Sequence, residues 1–275
     1  MLTDKKIAFI GGGAMAQALI RGMLKAKLVT AGQISACDTS PECRIHLIDA
    51  FKISVYNANT PDSQQMVEKS NILFLAVKPH IVPVVLDEIA PIINPATTVV
   101  SIAAGITIAS IEKKLPSNPV VRVMPNTPVS IGAGISAVAL GRHVDKTILK
   151  LVLAIFSSVG QLIHVQESLM DAVTALSGSG PGYAFLIIEA LTNAGVNMGL
   201  SRQDALLLSA QTLLGAAQMI IETNEHPAKL KDMVTSPGGT TSAGLYVLEK
   251  RGIRGSLMEA VEAATLKSRE MGQGK

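Results

Sequence analysis

The chain has 275 residues, of which 48% are apolar and 16% charged, which excludes a disordered or solvating polymer and fits two modest domains with buried cores. Lys and Arg number 24 against 21 Asp and Glu, a net charge of +3 with the basic residues scattered, and aromatic residues make up only 3%. Such a chain offers neither an electrostatic footprint nor a stacking surface for nucleic acid.

Along the first part of the chain, short β-rich runs alternate with helical patterns. The predicted strands are Lys6 to Ile10, Gln33 to Cys37, Ile53 to Tyr56, Ile72 to Ala76, Thr98 to Ile102 and Val120 to Val123. Several are almost wholly apolar, as strands covered by helices on both faces must be, and the helical segments between them supply the crossovers of a parallel sheet. Ser40 followed by Pro41 reads as a helix cap with proline at the first helical position, and Thr107 reads as the cap of a helix running through Lys114. From about Asp145 the period becomes helical, with one interruption at Gln161 to Val165. The expected division is a doubly wound α/β domain over 1–165 and an all-α domain over 166–275.

Within the helical half, Glu189, Arg202 and Asp204 are the only charges between Pro181 and Ile221. Helices without a charged face need cover on all sides, and a domain of this size has too little protein to supply it. Packing against a second copy is therefore expected, the alternative being one central helix of a monomeric bundle. Two apolar stretches, Ile89 to Ile111 and Leu206 to Ile221, invite a membrane reading. The first is broken by Pro91, Asn94, Pro95 and Gly105, and the second carries Ser209, Gln211, Thr212 and Gln218. Both are read as buried interior. Two cysteines, Cys37 and Cys43, are too few for a disulfide framework or a metal cluster, and Met1 to Phe9 lacks a signal-peptide pattern; a reduced, cytoplasmic setting is expected.

The first strand runs into Gly11-Gly12-Gly13-Ala14-Met15-Ala16, a G-x-G-x-x-A turn at the first strand-to-helix junction. Gly11 permits the tight turn, Gly13 lets backbone approach a pyrophosphate, and Ala16 lets helix and strand pack closely, with the helix N-terminus facing the phosphates. Asp38 ends the second strand where an acidic side chain can take a ribose 2′-OH, which favours NADH. Thr39, Ser40 and Arg44 follow and suit a 2′-phosphate instead, so NADPH and NADH both stand. Ala76, Val77, Lys78 and Pro79 close the fourth strand, and Ile102, Ala103 and Ala104 follow the fifth. Both segments are expected at the ligand crevice, beyond the carboxyl ends of the strands. Asn126, in Met124 to Pro128, offers an amide at the same edge. In the helical half, Ser177-Gly178-Ser179-Gly180-Pro181 and Ser236-Pro237-Gly238-Gly239-Thr240-Thr241 read as two loops before helices, forming a small-anion site from backbone N–H groups and hydroxyls.

These blocks together resemble the pyrroline-5-carboxylate reductase family, over essentially the whole chain: GGGAMA, AVKP at Ala76, SIAAG at Ser101, MPNTP at Met124, LSGSGP at Leu176 and LKDMVTSPGGTT at Leu230. The resemblance implies a Rossmann-type domain followed by a helical dimerisation domain, a homodimer assembling into a decamer, and reduction of L-1-pyrroline-5-carboxylate to L-proline with NADPH or NADH. It implies that Gly11 to Met15, Ala76 to Pro79 and Ile102 to Ala104 hold the cofactor. Gly239 and Thr240 would hold the substrate carboxylate, Thr241 would bond the ring nitrogen as the catalytic contact, Glu167 would lie nearby, and the site would be shared between subunits. Gly182 stands where the family usually has Ala, and Asp38 where NADPH-preferring members often have a non-acidic residue.

The implied chemistry is sparing in its demands. A protonated cyclic imine accepts hydride at the C=N carbon without a metal or a covalent nucleophile, and rate comes from positioning. None of His46, His80, His143, His164 and His226 falls in a metal or triad spacing, so no metal is expected. A related β-hydroxyacid dehydrogenase calls for a Lys and an Asn one turn apart on the long helix, and Pro181 is followed by Glu189 and Asn193 without that Lys. A related imine reductase and a non-catalytic dinucleotide-binding protein are the other readings.

Overall fold

The structure, a computed structural model, describes Leu2 and residues 4–272. Met1, Thr3 and 273–275, which the expected domain limits and the reading of the N-terminal segment include, lie outside the described residues. The chain opens with β1 (Ile7–Ile10), α1 (Ala14–Lys25), β2 (Ile34–Asp38), α2 (Pro41–Phe51), β3 (Ser54–Asn57), α3 (Pro61–Glu68), β4 (Ile72–Leu75), α4 (Val82–Ile89), β5 (Thr98–Ser101), α5 (Ile108–Lys114) and β6 (Val120–Met124). The six expected strands form within a residue or two of their predicted limits. Both expected caps form as well: Ser40 Oγ accepts from Cys43 N at 3.1 Å, with Pro41 in the first turn, and Thr107 Oγ1 accepts from Ser110 N at 3.1 Å.

The strands lie in the order β3-β2-β1-β4-β5-β6, all parallel. Pleating sends alternate side chains to opposite layers. Ile7 and Phe9 join Leu19, Leu47 and Phe156 on one side, while Ala8 and Ile10 join Val85, Leu86 and Ile111 on the other. Phe9 and Phe74 stack across β1 and β4 with ring centroids 4.5 Å apart. Each fully buried side chain of this size contributes about 1.5–3 kcal/mol to stability.

Two further strands continue the sheet. β7 (Gly134–Leu140) runs antiparallel to β6, α6 (Lys146–Ser157) follows, and β8 (Gly160–His164) pairs parallel to β7. Sequence patterning misses β7 because Gly134, Ser136, Ala137 and Ala139 carry little strand preference; the free edge of β6 recruits them. The helical period beginning near Asp145 belongs to α6, whose Leu151, Val152, Ile155 and Phe156 are buried in the sheet's own core. An apolar stripe does not say which body it packs against.

The remaining elements are α7 (Met170–Val173), α8 (Gly180–Asn197), α9 (Arg202–Thr223), α10 (Pro227–Met233), α11 (Thr240–Lys250) and α12 (Ile253–Gly272). Two compact units result: a sheet unit that runs to Ser179 and takes back the chain from Ala264, and a helical unit, Gly180–Ala263. Their limits differ from the 1–165 and 166–275 division expected from sequence. Met170 and Ala175 are fully buried, Met170 in the sheet core, and the end of α12 returns to the sheet unit, where Ser268 Oγ donates to Asp171 Oδ1 at 2.7 Å.

In the helical unit α8 and α9 pack on each other, yet only Thr192, Ala205 and Ser209 on them are buried. Phe185, Leu186, Leu207, Leu214 and Ile221 are all more than half exposed. By length and composition α9 is able to cross a membrane, with 11% of its apolar window buried. In the single chain Leu206 to Ile221 is not interior: its face is apolar and uncovered. The alternative of one central helix in a monomeric bundle does not describe it either.

Candidate functional site

The glycine turn sits where the sheet order reverses, between β1 and its neighbours β2 and β4. Gly11 has φ +95°, and a Cβ there would lie 2.6 Å from the Ala76 carbonyl oxygen, so only glycine fits. Gly12 is walled in by Leu47 and Cys43, whereas Gly13 has open space where a Cβ would stand. Ala16 is fully buried, which brings α1 close to the sheet. Ala14 and Met15 form its first turn, whose N–H groups have no acceptor within the helix.

A cavity of about 560 Å³ opens beside this turn. Its lining includes Gly11, Gly13, Asp38, Thr39, Ala76, Val77 and Lys78 from the sequence-predicted set. It also includes Ala58 and Asn59 after β3, Ser63, Gln64 and Val67 of α3, and Val84, Val85, Glu88 and Ile89 of α4, which sequence reasoning missed. The rule that ligands sit beyond the carboxyl ends of strands reaches Ala58 and Asn59; the helix faces had no local signal. An open glycine, a helix N-terminus and a mostly apolar cavity fit a dinucleotide.

Around Asp38 the hydrogen bonding is dense. Its Oδ2 accepts from Gly12 N at 2.7 Å and its Oδ1 from Ser40 N at 2.8 Å. Arg44 Nη1 donates to the carbonyls of Asp38 and Thr39 and to Asn57 Oδ1. Burial, with Asp38 nearby, pushes the Cys43 thiol up to about 11, and burial pushes Cys37 up to about 12, so both thiols stay protonated and unreactive near neutrality.

Other expected residues are placed in the sheet unit without lining the cavity. Pro79 opens a short 3-10 turn, and Ile102, Ala103 and Ala104 follow β5, with Ala103 buried. Asn126 is buried and its amide is engaged internally, donating to the Ser177 carbonyl at 3.2 Å and accepting from Ile135 N at 3.0 Å. Glu167 Oε1 accepts from Ile108 N at 2.6 Å, at the start of α5, and pairs with the buried Arg122 at 3.1 Å. Arg122, a charge in the middle of the apolar strand β6, is a signal the sequence carried and its reading passed over.

The expected loop at Ser177 to Pro181 is corrected. Thr174–Gly178 is a π-helical turn joining α7 to α8, with Ser179 N donating to Thr174 O at 2.8 Å. Ser177 Oγ and Thr174 Oγ1 bond carbonyls four residues back, so small polar residues read as loop formers are absorbed by a wide helical turn. The second loop forms as expected: Gly238 has φ +69°, and Gly239 caps α11. The Gly239 N–H is donated to Ser236 O at 3.0 Å, so the N–H groups of Thr240, Thr241 and Ser242 are those without an acceptor in the helix.

The strand order and the glycine turn at the switch point define the class: a Rossmann-type dinucleotide-binding protein carrying a helical unit. Residues 6–105 match the family described as NADP oxidoreductase coenzyme F420-dependent, and residues 167–271 match the family described as Pyrroline-5-carboxylate reductase dimerisation. The chain is 44% identical to the pyrroline-5-carboxylate reductase of Synechocystis over 98% of both chains, and 44% identical to that of Methanosarcina acetivorans over 99% of this chain and 100% of the relative. Plasmodium falciparum pyrroline carboxylate reductase, solved with NADP bound, superposes with a TM-score of 0.88 at 35% identity, covering 98% of each chain. The chain belongs to the pyrroline-5-carboxylate reductase family.

Proposed function

We propose that this chain reduces L-1-pyrroline-5-carboxylate to L-proline, the last step of proline biosynthesis, using NADPH or NADH. The observation that carries the reading is full-length likeness to reductases of that name, spanning the glycine-turn unit and the helical unit alike. The residues Gly11 to Met15, Asp38, Thr39, Ser40, Ala76 to Pro79, Ile102 to Ala104 and Asn126 form the cofactor side. The bound nicotinamide supplies the hydride that reduces the C=N carbon.

The substrate side is assigned to the start of α11. The N–H groups of Thr240, Thr241 and Ser242, with the helix dipole behind them, suit a carboxylate. Gly239 shapes that turn, and the Thr241 hydroxyl bonds the imine nitrogen and holds the ring in line for transfer. Ser177, Gly178 and Glu167 stand as the remaining substrate-side assignments. The uncovered faces of α8 and α9 support a homodimer, for which a decamer is the proposed assembly, and the cytoplasm is the proposed compartment.

The test is the initial rate of NADPH and NADH oxidation with pyrroline-5-carboxylate, with proline identified as product. Turnover with either cofactor is expected. Folded, assembled protein that turns over neither overturns the proposal.

A further inference from the structure

Backbone holds both ends of the buried Asn126 amide. Its Oδ1 accepts from Ile135 N at 3.0 Å, near the start of β7, and its Nδ2 donates to the Ser177 carbonyl at 3.2 Å, across 51 residues of chain. Turning the amide over would set its oxygen against that carbonyl and its N–H groups against Ile135 N, so only one orientation satisfies both neighbours.

The Ser177 carbonyl has a particular need of this donor. In an α-helix it would accept the N–H of residue 181, and that residue is Pro181, which has none. The chain widens there into the π-helical turn Thr174–Gly178, in which Ser179 N reaches back to Thr174 O and the Ser177 hydroxyl is spent on Val173 O. Such turns are rare and gather at functional sites. A second contact comes from the same end of β6: a Cβ on Gly178 would lie 2.6 Å from Met124 Cε, so the turn rests directly on that side chain.

We infer that Asn126 is a positioning residue for the reaction: its amide holds the π-helical turn, and with it Ser177 and Gly178, in the place from which they meet substrate. Asn126 thereby ties the cofactor side, on which it stands, to the substrate side. The inference rests on the substrate-side reading proposed above and deepens it by naming what fixes those two residues.

Asn126→Asp keeps the shape and the acceptor for Ile135 N but sets an oxygen against the Ser177 carbonyl in place of a donor. In variant protein shown folded by circular dichroism, the KM for pyrroline-5-carboxylate is expected to rise about tenfold, the scale of one oriented hydrogen bond, while the dissociation constants of NADH and NADPH, read from their fluorescence, stay within about twofold. The ratio of variant to wild-type kcat/KM is expected to rise as pH falls, because a protonated carboxyl donates where Nδ2 did. Asn126→Ser, which takes no charge into the interior, is expected to show the same split between substrate and dinucleotide without recovery in acid. In the wild-type protein, Ile135 N–H is expected to exchange with deuterium equally slowly with and without NADH.

Equal weakening of substrate and dinucleotide overturns the inference, as does an unchanged substrate KM in either folded variant or a folded Asn126→Asp that gains nothing on wild type in acid. Faster exchange of Ile135 N–H on adding NADH, the sign of an amide turned to the ligand, overturns it without any variant. Wild-type protein that turns over pyrroline-5-carboxylate with neither cofactor overturns the reading beneath it.

Discussion

Glu167→Ala is expected to destabilise the sheet unit far more than removal of its partner. The Arg122 side chain is 6% exposed and that of Glu167 31%, so the two substitutions are unequal. Removing the carboxylate strands a buried guanidinium, at a cost of about 3 kcal/mol, and takes away the acceptor for Ile108 N at the start of α5, worth about 1 kcal/mol. Arg122→Met removes the charge, fills much of its volume and leaves Glu167 bonded to Ile108 N and partly in water, at a cost of about 1 kcal/mol. In the Arg122→Met background the cost of Glu167→Ala should fall to about 1 kcal/mol, a coupling of about 3 kcal/mol. Urea unfolding at fixed protein concentration measures all four, the concentration being held because assembly contributes to stability. Equal costs for the two single substitutions would refute the argument. Wild-type stability in Glu167→Ala with a raised substrate KM would instead leave Glu167 with its substrate-side role alone.

Three further outcomes are expected. Thr241→Ala lowers kcat/KM for pyrroline-5-carboxylate roughly tenfold or more, the loss of one oriented hydrogen bond, and unchanged steady-state kinetics would remove its hydroxyl from the reaction. Native Cys43 alkylates slowly with iodoacetamide at pH 8 and faster only as pH approaches 11, whereas urea-unfolded protein labels readily. Folding raises that thiol's pKa, so its contribution to stability is complete below the ordinary value of 9.0 and is lost as pH rises from there through about 11. Leu207→Glu, on the uncovered face of α9, shifts the protein toward smaller species in light scattering; an unchanged mass would place the contact between copies elsewhere.

The first six strands and the glycine turn were legible because their signals are local. Apolar runs mark strands buried on both faces, and Gly11, Ser40 and Thr107 act within a few residues of themselves. The strand β7 was not legible, since its small residues become a strand only beside β6. The run Ser177 to Pro181 has a loop composition, but serine and threonine hydroxyls bonding back to the preceding turn keep it helical.

By itself, then, the sequence determined the alternating fold, the position of the dinucleotide turn and the need of the helical half for cover, because each follows from composition and spacing along one stretch of chain. Only the tertiary structure decided which groups around Asp38 are free. That Arg44 Nη1 braces the end of β2 depends on carbonyls and an amide that β2 and β3 bring beside it. The same holds for Glu167, joined to Arg122 across 45 residues of chain. Long-range pairing leaves no mark in spacing, and a charged side chain's role is set by the partner that folding delivers to it.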